Sequence, residues 1–368
     1  MNQKIMNVLK IGDLSARLPI IQGGMGVGIS LSGLSSAVAN QGGIGVIAAA
    51  GIGMLQFDRS SNFLEANIRA LREEIRKARK LTSGIIGVNI MVALSNFVDL
   101  VKTSVEEGVD AIFAGAGLPL DLPGLLGKPF KTKLIPIISS ARAAKILIKK
   151  WFDRYNYIPD AFVVEGPKAG GHLGFKLEEI ENPEYALEKI IVDVVNEVKP
   201  FEEKFDKPIP IIAGGGIYTG EDMYQIMKLG ASGVQMATRF VTTEECDASI
   251  AFKNTYINAK KEDIGIIKSP VGMPGRAIIN DFLKEVKEGK KVPFGCPYHC
   301  IKTCEYKNSP YCIAMALINA KKGLFTNGFA FAGANAYKAT KINTVKEVCD
   351  SLINEYEQAA CNDLLQEI

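Results

Sequence analysis

Short runs of apolar residues recur along the chain up to residue 240, and three of them end in glycine. The eight runs are 19–23, 45–49, 85–90, 111–115, 134–138, 161–164, 210–214 and 233–237. Few polar residues interrupt them. Continuous apolar runs of this length predict strands that are buried on both faces, as in a parallel sheet.

Stretches with helical spacing separate these strands, at residues 31–40, 63–80, 97–107 and 141–151. Another helix is predicted over 221–229, because Thr219 and Asp222 form a capping signature and Gly230 supplies a stop. Eight strand–helix units match a (β/α)8 TIM barrel of the α/β class more closely than a doubly wound sheet.

The pattern changes after the eighth strand, which predicts a chain in three parts. The parts are a barrel core that carries the cofactor site (1–240), a lid with a cysteine-rich insertion (241–330), and a C-terminal helix that closes the barrel (331–368). Residues 241–290 are charged and predicted to be helical, with 272–276 as a loop over the site. The spacing in residues 343–366 predicts the amphipathic closing helix.

Composition narrows the class of protein. The chain has 368 residues, of which 47% are hydrophobic and 23% charged, as in an ordinary globular enzyme. A net charge of +3 is too small to indicate nucleic acid or an anionic membrane as the main partner. No apolar run approaches the roughly 18 residues that span a bilayer. The segment 1–6 lacks a signal-peptide core, so we expect a cytoplasmic protein.

The segment that follows the sixth predicted strand is the first candidate for chemistry. It holds Glu165, Ala169, Gly170 and Gly171 around His172, which is one of only two histidines. Histidine is the side chain most easily poised for proton transfer near neutral pH. A structural histidine on the surface is the alternative, but the surrounding glycines favour a site where backbone approaches a ligand closely.

Two further loops predict a phosphate site. The seventh strand ends in Gly214, Gly215 and Gly216, and the eighth in Met236, Ala237 and Thr238. In TIM barrels phosphate commonly binds at these two loops, where backbone N–H groups of glycines can point at the anion. The alternative for the three glycines is a flexible turn.

Other strand ends carry small or polar groups at the same edge. They are Gly23, Gly24 and Met25 after the first strand, Asn89 near the end of the third, and Ser139 after the fifth. Asn89 could equally cap its own backbone. The glycines of 43–48 imitate a dinucleotide-binding fingerprint, but they precede a strand, which excludes that interpretation.

Four of the seven cysteines lie close together near the second histidine, His299. They are Cys296, Cys300, Cys304 and Cys312. In a cytosolic protein such a cluster suggests metal ligands more than disulfides, but the spacing matches neither the usual zinc pattern nor the ferredoxin pattern. We therefore predict a metal-free structural segment and keep zinc or an iron–sulfur cluster as the alternative.

Five motifs resemble the FMN-dependent nitronate monooxygenases, formerly called 2-nitropropane dioxygenases. The motifs are 22–25, 87–91, 165–174, 213–217 and 235–240, and the resemblance covers residues 10–280. The same superfamily contains flavin-dependent enoyl-[acyl-carrier-protein] reductases and some NADH:quinone reductases. The resemblance implies that His172 is the catalytic base or proton donor.

The resemblance also implies a binding mode for FMN. Gly23, Met25 and Asn89 would lie beside the flavin ring, and the loops of Gly215, Gly216, Ala237 and Thr238 would hold the phosphate. Many relatives have glycine where this chain has Ala237. The alanine N–H still donates, so phosphate binding is expected to persist with a tighter fit.

Three functions are compatible with these motifs. The first is oxidation of a nitronate by O2 through FMN. The second is NAD(P)H-dependent reduction of an enoyl thioester, towards which the motifs 22–25 and 87–91 incline. The third is a flavin-free phosphate-binding lyase or isomerase, which usually needs a lysine or paired carboxylates at strand ends. Such groups are sparse here. We expect a small-molecule substrate and leave a homodimer open.

Overall fold

Eight parallel strands close into a barrel in the computed structural model, which describes residues 6–56, 62–127, 129–291, 295–296 and 298–366. The strands are β1 (Ile20–Gln22), β2 (Ile44–Ala48), β3 (Ile85–Met91), β4 (Ala111–Gly115), β5 (Lys133–Ile138), β6 (Phe162–Glu165), β7 (Ile211–Gly214) and β8 (Gly233–Met236). Strand β8 pairs with β1, with Met236 opposite Gln22, and so closes the barrel. The eight predicted strands and the (β/α)8 barrel are confirmed.

Helices surround the barrel and continue into the C-terminal part. They are α1 (Ser32–Asn40), α2 (Phe63–Leu81), α3 (Phe97–Glu106), α4 (Ala141–Tyr155), α5 (Leu187–Phe205), α6 (Gly220–Lys228), α7 (Thr238–Val241), α8 (Ile250–Ile257), α9 (Asp281–Lys287), α10 (Ile313–Lys321) and α11 (Val345–Gln366). The predicted capping box of α6 is present, with Thr219 and Asp222 bonded reciprocally. Helix α11 packs against α6 and α1 on the outside of the barrel. None of the described helices is long and apolar enough to cross a membrane.

The barrel interior has its own apolar core. Phe113, Ile135 and Val163 fill it, and Leu9 and Ile11 of an N-terminal hairpin pack against the same cluster. A second, larger core lies between the strands and the helices. Sequence reasoning did not predict the hairpin, whose strands Leu9–Ile11 and Leu14–Ala16 are only three residues long.

The glycines of 43–48 serve helix packing. A Cβ on Gly45 would lie 1.8 Å from the carbonyl oxygen of Ser35 in α1, so only glycine allows this helix to lie so close to β2. Gly45 lies within β2, which agrees with the exclusion of a dinucleotide fingerprint. A small residue here is explained by close approach of two backbones.

The lid differs from its prediction. Residues 241–290 do contain α8 and α9, but an antiparallel hairpin of Ile264–Lys268 and Pro274–Ile278 lies between them. The predicted loop 272–276 is therefore a turn followed by a strand. That strand pairs with Gly171–His172, and we call these three strands the lid sheet. The pairing is formed by residues about 100 positions apart, which a local pattern does not reveal.

Candidate active site

A cavity of about 580 Å³ lies where the barrel strands end, as the barrel prediction requires. The predicted site residues that line it are Gly23, Gly24, Met25, Asn89, Ser139, Glu165, Ala169, Gly170, Gly171, His172, Gly215, Gly216, Met236, Ala237 and Thr238. Gly214 is the exception, because it pairs with Glu165 inside the sheet and is not among the lining residues. The fold thus brings together strand ends that are far apart in the sequence.

His172 lies at the edge of this cavity, in a short strand of the lid sheet opposite Gly275. Its Nε2 lies 2.7 Å from the Oγ of Ser269, and its ring meets Phe331 edge-on, with the centroids 5.0 Å apart. Burial lowers the pKa of His172 from 6.5 to about 4, because the imidazolium would lose its hydration. The ring is therefore uncharged at neutral pH and can accept a proton or donate its single N–H.

A buried arginine, Arg276, forms hydrogen bonds with the loop that carries His172. Nη1 of Arg276 donates to the carbonyl oxygens of Pro167 and Ala169, the second at 3.0 Å. The nearest acidic group, Glu181, is 3.9 Å away and exposed. Since its hydrogen bonds go to backbone carbonyls, Arg276 fixes the course of the loop before His172.

Glu165 ends β6 and lies on the wall of the same cavity. No cation within the described residues forms an ion pair with it, and burial raises the pKa of its carboxyl from 4.5 to about 7. At neutral pH the carboxyl is thus divided between its acid and carboxylate forms. It can donate or accept a hydrogen bond towards a polar ligand in the cavity.

The loops after β7 and β8 form a rim with exposed backbone donors. Gly215 and Gly216 have φ values of +95° and +90°, and a Cβ on Gly215 would lie 2.9 Å from the carbonyl oxygen of Gly166. Backbone N–H groups of Gly215, Gly216, Ala237 and Thr238 donate to no acceptor in the described part of the chain. Such a cluster of unpaired N–H groups is what an anion such as phosphate requires.

The C-terminal part closes this rim. The N–H of Gly333 donates to Oγ1 of Thr238 at 3.2 Å, and Nδ2 of Asn335 donates to the carbonyl oxygen of Gly216 at 2.6 Å. Because Oγ1 of Thr238 accepts here, its own hydrogen remains able to point elsewhere. Lys168 lines the same rim and adds a positive charge that the sequence analysis did not single out.

Another part of the cavity wall is formed by small residues at the ends of β1 and β3. A Cβ on Gly24 would lie 2.4 Å from the Cβ of Asn89, so these two residues are in close contact. The side chain of Asn89 bonds to no backbone group in the described structure, which disfavours a capping role. Buried Gln22 donates to the carbonyl oxygen of Gly23 and accepts from the N–H of Val46, which fixes the turn.

Several lining residues lie outside the predicted strand ends, and of these only Met273 belongs to a segment, 272–276, that was predicted to lie over the site. They are Phe252, Tyr256, Met273, Leu317 and Phe331. The hydroxyl of Tyr256 donates to the carbonyl oxygen of Phe331, so even this polar group is satisfied within the protein. These residues lie in the lid and in the segment before α11. They give the outer cavity a largely apolar wall.

The cysteine segment lies outside this cavity. Cys296, Cys300, Cys304 and Cys312 line a separate, much smaller cavity, and none of them forms a disulfide. His299 also faces that small cavity, so it is not brought near His172. Of the two histidines, only His172 belongs to the candidate active site.

Comparisons with known proteins show which family of sequences this chain resembles. A family model described as nitronate monooxygenase matches residues 8–355. Probable nitronate monooxygenases from Staphylococcus saprophyticus and Staphylococcus aureus strain Newman are 25% and 29% identical, over 75% of this chain and 80% and 79% of theirs.

Two solved structures have the same fold as this chain. FabK from Thermotoga maritima has 26% identity and a TM-score of 0.73, over 96% of both chains. Nitroalkane oxidase from Streptomyces ansochromogenes has 20% identity and a TM-score of 0.70, over 94% of this chain and 97% of that one. At 20% identity the second comparison shows a shared fold.

Proposed function

The chain belongs to the nitronate monooxygenase family, a family of flavin oxidoreductases, and from this premise we propose that it uses FMN to oxidise nitronates with O2. The observation that carries the proposal is the uncharged imidazole of His172 at the edge of a glycine-lined cavity. When bound, the flavin would accept the electrons released by the substrate and pass them to oxygen.

The residues of the rim suit FMN. Gly215, Gly216, Ala237 and Thr238 would hold its phosphate through their N–H groups, which lack protein acceptors among the described residues. The glycines at 23 and 24 leave room for a flat ring beside Asn89. We favour FMN over FAD because the described residues form one barrel, without a second nucleotide-binding fold to receive an adenosine.

The chain's own groups would then handle the substrate. An uncharged imidazole at position 172 can donate its N–H to an anionic nitronate oxygen, or accept a proton from the carbon beside a nitro group. Ser269 keeps the ring oriented through its 2.7 Å contact. The apolar side chains of Phe331 and Leu317 exclude water from this side of the cavity.

Reduction of an enoyl thioester is the second candidate. The motif Gln22–Met25 inclines towards that branch of the superfamily, and the apolar wall around Phe252 and Leu317 would accommodate an acyl chain. That reaction needs NAD(P)H to load the flavin and a group that gives a proton to the product. A nitronate is already an anion, so its oxidation needs neither NAD(P)H nor this proton, and we favour the nitronate reaction for that reason.

An anaerobic experiment separates the two reactions. The flavin-loaded enzyme is mixed without oxygen with propionate 3-nitronate, and separately with NADH or NADPH, while the flavin absorbance is followed. We expect rapid bleaching by the nitronate and oxygen uptake after air is admitted. Bleaching by nicotinamide alone, followed by reoxidation with an enoyl thioester, would instead assign the enzyme to enoyl reduction.

The cofactor is tested on its own. Acid releases the flavin from the purified protein, and chromatography separates FMN from FAD. We expect FMN. If FAD were released, or if no flavin remained after reconstitution, the assignment of the rim as an FMN phosphate site would be wrong.

A further inference from the structure

Four thiols surround one small cavity away from the active site. The cavity has a volume of about 20 Å³, and Cys296, Cys300, Cys304 and Cys312 all line it. A volume of this size holds about one water-sized particle. Four cysteines from one short stretch of the chain therefore share a space of about the size of a single ion.

The four cysteines line one cavity and are not joined to one another. None of them forms a disulfide. His299, the remaining candidate ligand in this cavity, has its ring edge-on to Tyr306, with the centroids 6.1 Å apart.

The segment that holds these thiols has little regular structure of its own. Between residues 298 and 312 it contains one short 3₁₀ turn, Tyr306–Asn308. Long segments without secondary structure inside a compact fold are uncommon, and a bound metal is one way to order them. Four thiolates on one ion would supply the cross-links that the backbone lacks here.

The same segment is connected to two elements next to the large cavity, the loop after β3 and helix α10. The N–H of Ser95 donates to the carbonyl oxygen of Cys300 at 3.1 Å, and the N–H of Lys302 donates to that of Ala93 at 2.9 Å, which ties the segment to the loop after β3. At its other end Cys312 directly precedes α10, whose Leu317 lines the large cavity. A cross-link would therefore connect the loop after β3, which follows the lining residue Met91, to α10.

The spacing of the cysteines favoured a metal-free segment, but the fold brings all four to one cavity. We therefore propose the alternative, that Cys296, Cys300, Cys304 and Cys312 bind one Zn²⁺ as a closed, structural four-thiolate site. Zinc prefers four tetrahedral thiolate ligands in structural sites, with Zn–S distances of about 2.3 Å. Among the described residues no three His, Cys, Asp or Glu side chains already stand in ligand geometry. Rotation about χ1 moves a cysteine sulfur without moving its backbone, so the thiols can turn inward. Each thiol releases a proton to solvent as it binds the ion.

Metal analysis of the flavin-loaded protein tests the proposal. The protein is purified anaerobically, without chelators and without an affinity tag that binds metal, and zinc and iron are measured per chain. We expect about one zinc per chain, with a zinc-edge X-ray absorption spectrum that shows sulfur neighbours at about 2.3 Å. The double variant C300S/C312S should lose the zinc. The matched control C361S removes an exposed cysteine outside the cluster and should retain it.

A second measurement covers the case in which C300S/C312S does not fold. Titration of the wild-type protein with an organomercurial should release the zinc in parallel with the reaction of these thiols. The proposal is overturned by protein without zinc, by iron with labile sulfide in its place, by nitrogen or oxygen neighbours in the absorption spectrum, or by zinc that persists after the cluster thiols are blocked.

Discussion

The ends of the barrel strands, which we call the rim from here on, and residues 241–368, which we call the extension, line the same cavity. They contribute different chemistry to it. The rim contributes mainly backbone, since Gly215 and Gly216 expose N–H groups and Gly23 has no side chain to fill the space beside it. The extension contributes side chains, such as Ser269 beside His172 and Phe331 across its ring. The rim therefore has the shape that a cofactor requires, whereas the extension sets the environment of the His172 imidazole.

This difference predicts different outcomes for substitutions in the rim and in the extension. A side chain added to the rim meets backbone atoms that cannot move aside, so the cofactor should be lost. A side chain changed in the extension alters the orientation or the protonation of groups near the substrate, so the cofactor should stay while the chemistry changes. The experiments below test that division, from the largest expected effect to the smallest.

Substitution of Gly215 by valine should remove nearly all bound flavin, and with it all turnover. Its φ is +95°, and a Cβ would lie 2.9 Å from the carbonyl oxygen of Gly166, so both the backbone and the space oppose a side chain. Flavin per chain is measured after gel filtration. Gly108→Val is the matched control, because Gly108 also has a positive φ but faces open space outside the cavity.

Gly108→Val should lose some stability and keep its flavin. Retention of flavin in Gly215→Val would show that the rim does not hold the cofactor. Loss in both variants would attribute the effect to backbone strain in general.

Replacement of His172 by alanine should lower turnover by roughly two to four orders of magnitude while the flavin stays bound. The reason is that no other imidazole lies in the cavity, and the described lining offers no equivalent group beside Ser269. Steady-state oxygen uptake and flavin content are measured on the same preparation. His299→Ala, which changes the histidine of the small cysteine cavity, should turn over normally. Normal turnover in His172→Ala would contradict its catalytic role.

The barrel could be predicted from the sequence because its strands carry a local signal. Each strand is a short apolar run, and the buried residues such as Ile112 and Phe113 lie where that pattern placed them. The glycine loops were predictable for a related reason. Where a chain needs positive φ or close approach, as at Gly216, only glycine serves, so the requirement is visible in the residue itself.

The extension could not be predicted in the same way. Ser269 is an ordinary serine in a turn, and it contacts His172 only because a strand about 100 residues away pairs with the histidine loop. Arg276 looked like part of a loop, although it is buried beneath Ala169. Both residues acquire their contacts through strand pairing between distant parts of the chain. A serine or an arginine in the sequence gives no local sign of such pairing.

Arg276→Met should produce the intermediate effect. It leaves the carbonyl oxygens of Pro167 and Ala169 without their donor, and each buried, unpaired acceptor costs about 1–3 kcal/mol. The loop before His172 should shift, and turnover should fall by about 10- to 100-fold with the flavin retained. Arg276→Lys, which keeps one donor, should recover part of both losses. Urea unfolding and turnover are measured together. Loss of flavin as complete as in Gly215→Val would erase the distinction between rim and extension.

The smallest expected effect is on the free energy of unfolding alone. Its pH dependence separates the contribution of Glu165 on the rim from that of His172 on the lid sheet. Burial raises the pKa of Glu165 from 4.5 to about 7, so ionisation costs the folded state nothing below pH 4.5 and an increasing amount as the pH rises to 7. Burial lowers the pKa of His172 from 6.5 to about 4, so its cost grows in the opposite direction, as the pH falls from 6.5 to 4.

Glu165→Gln removes the first cost and leaves the second. In flavin-free protein the variant should be more stable than the wild type at pH 8, by at most about 3.5 kcal/mol, since the pKa rises from 4.5 to about 7 and each pKa unit corresponds to about 1.4 kcal/mol. At pH 4.5 most of that advantage should vanish, while the loss of stability on the acid side, which belongs to His172, remains in both proteins. Urea unfolding at the two pH values measures the difference. An advantage of equal size at both would mean that the glutamine side chain merely packs better and that the rim carboxyl is not held partly protonated by burial.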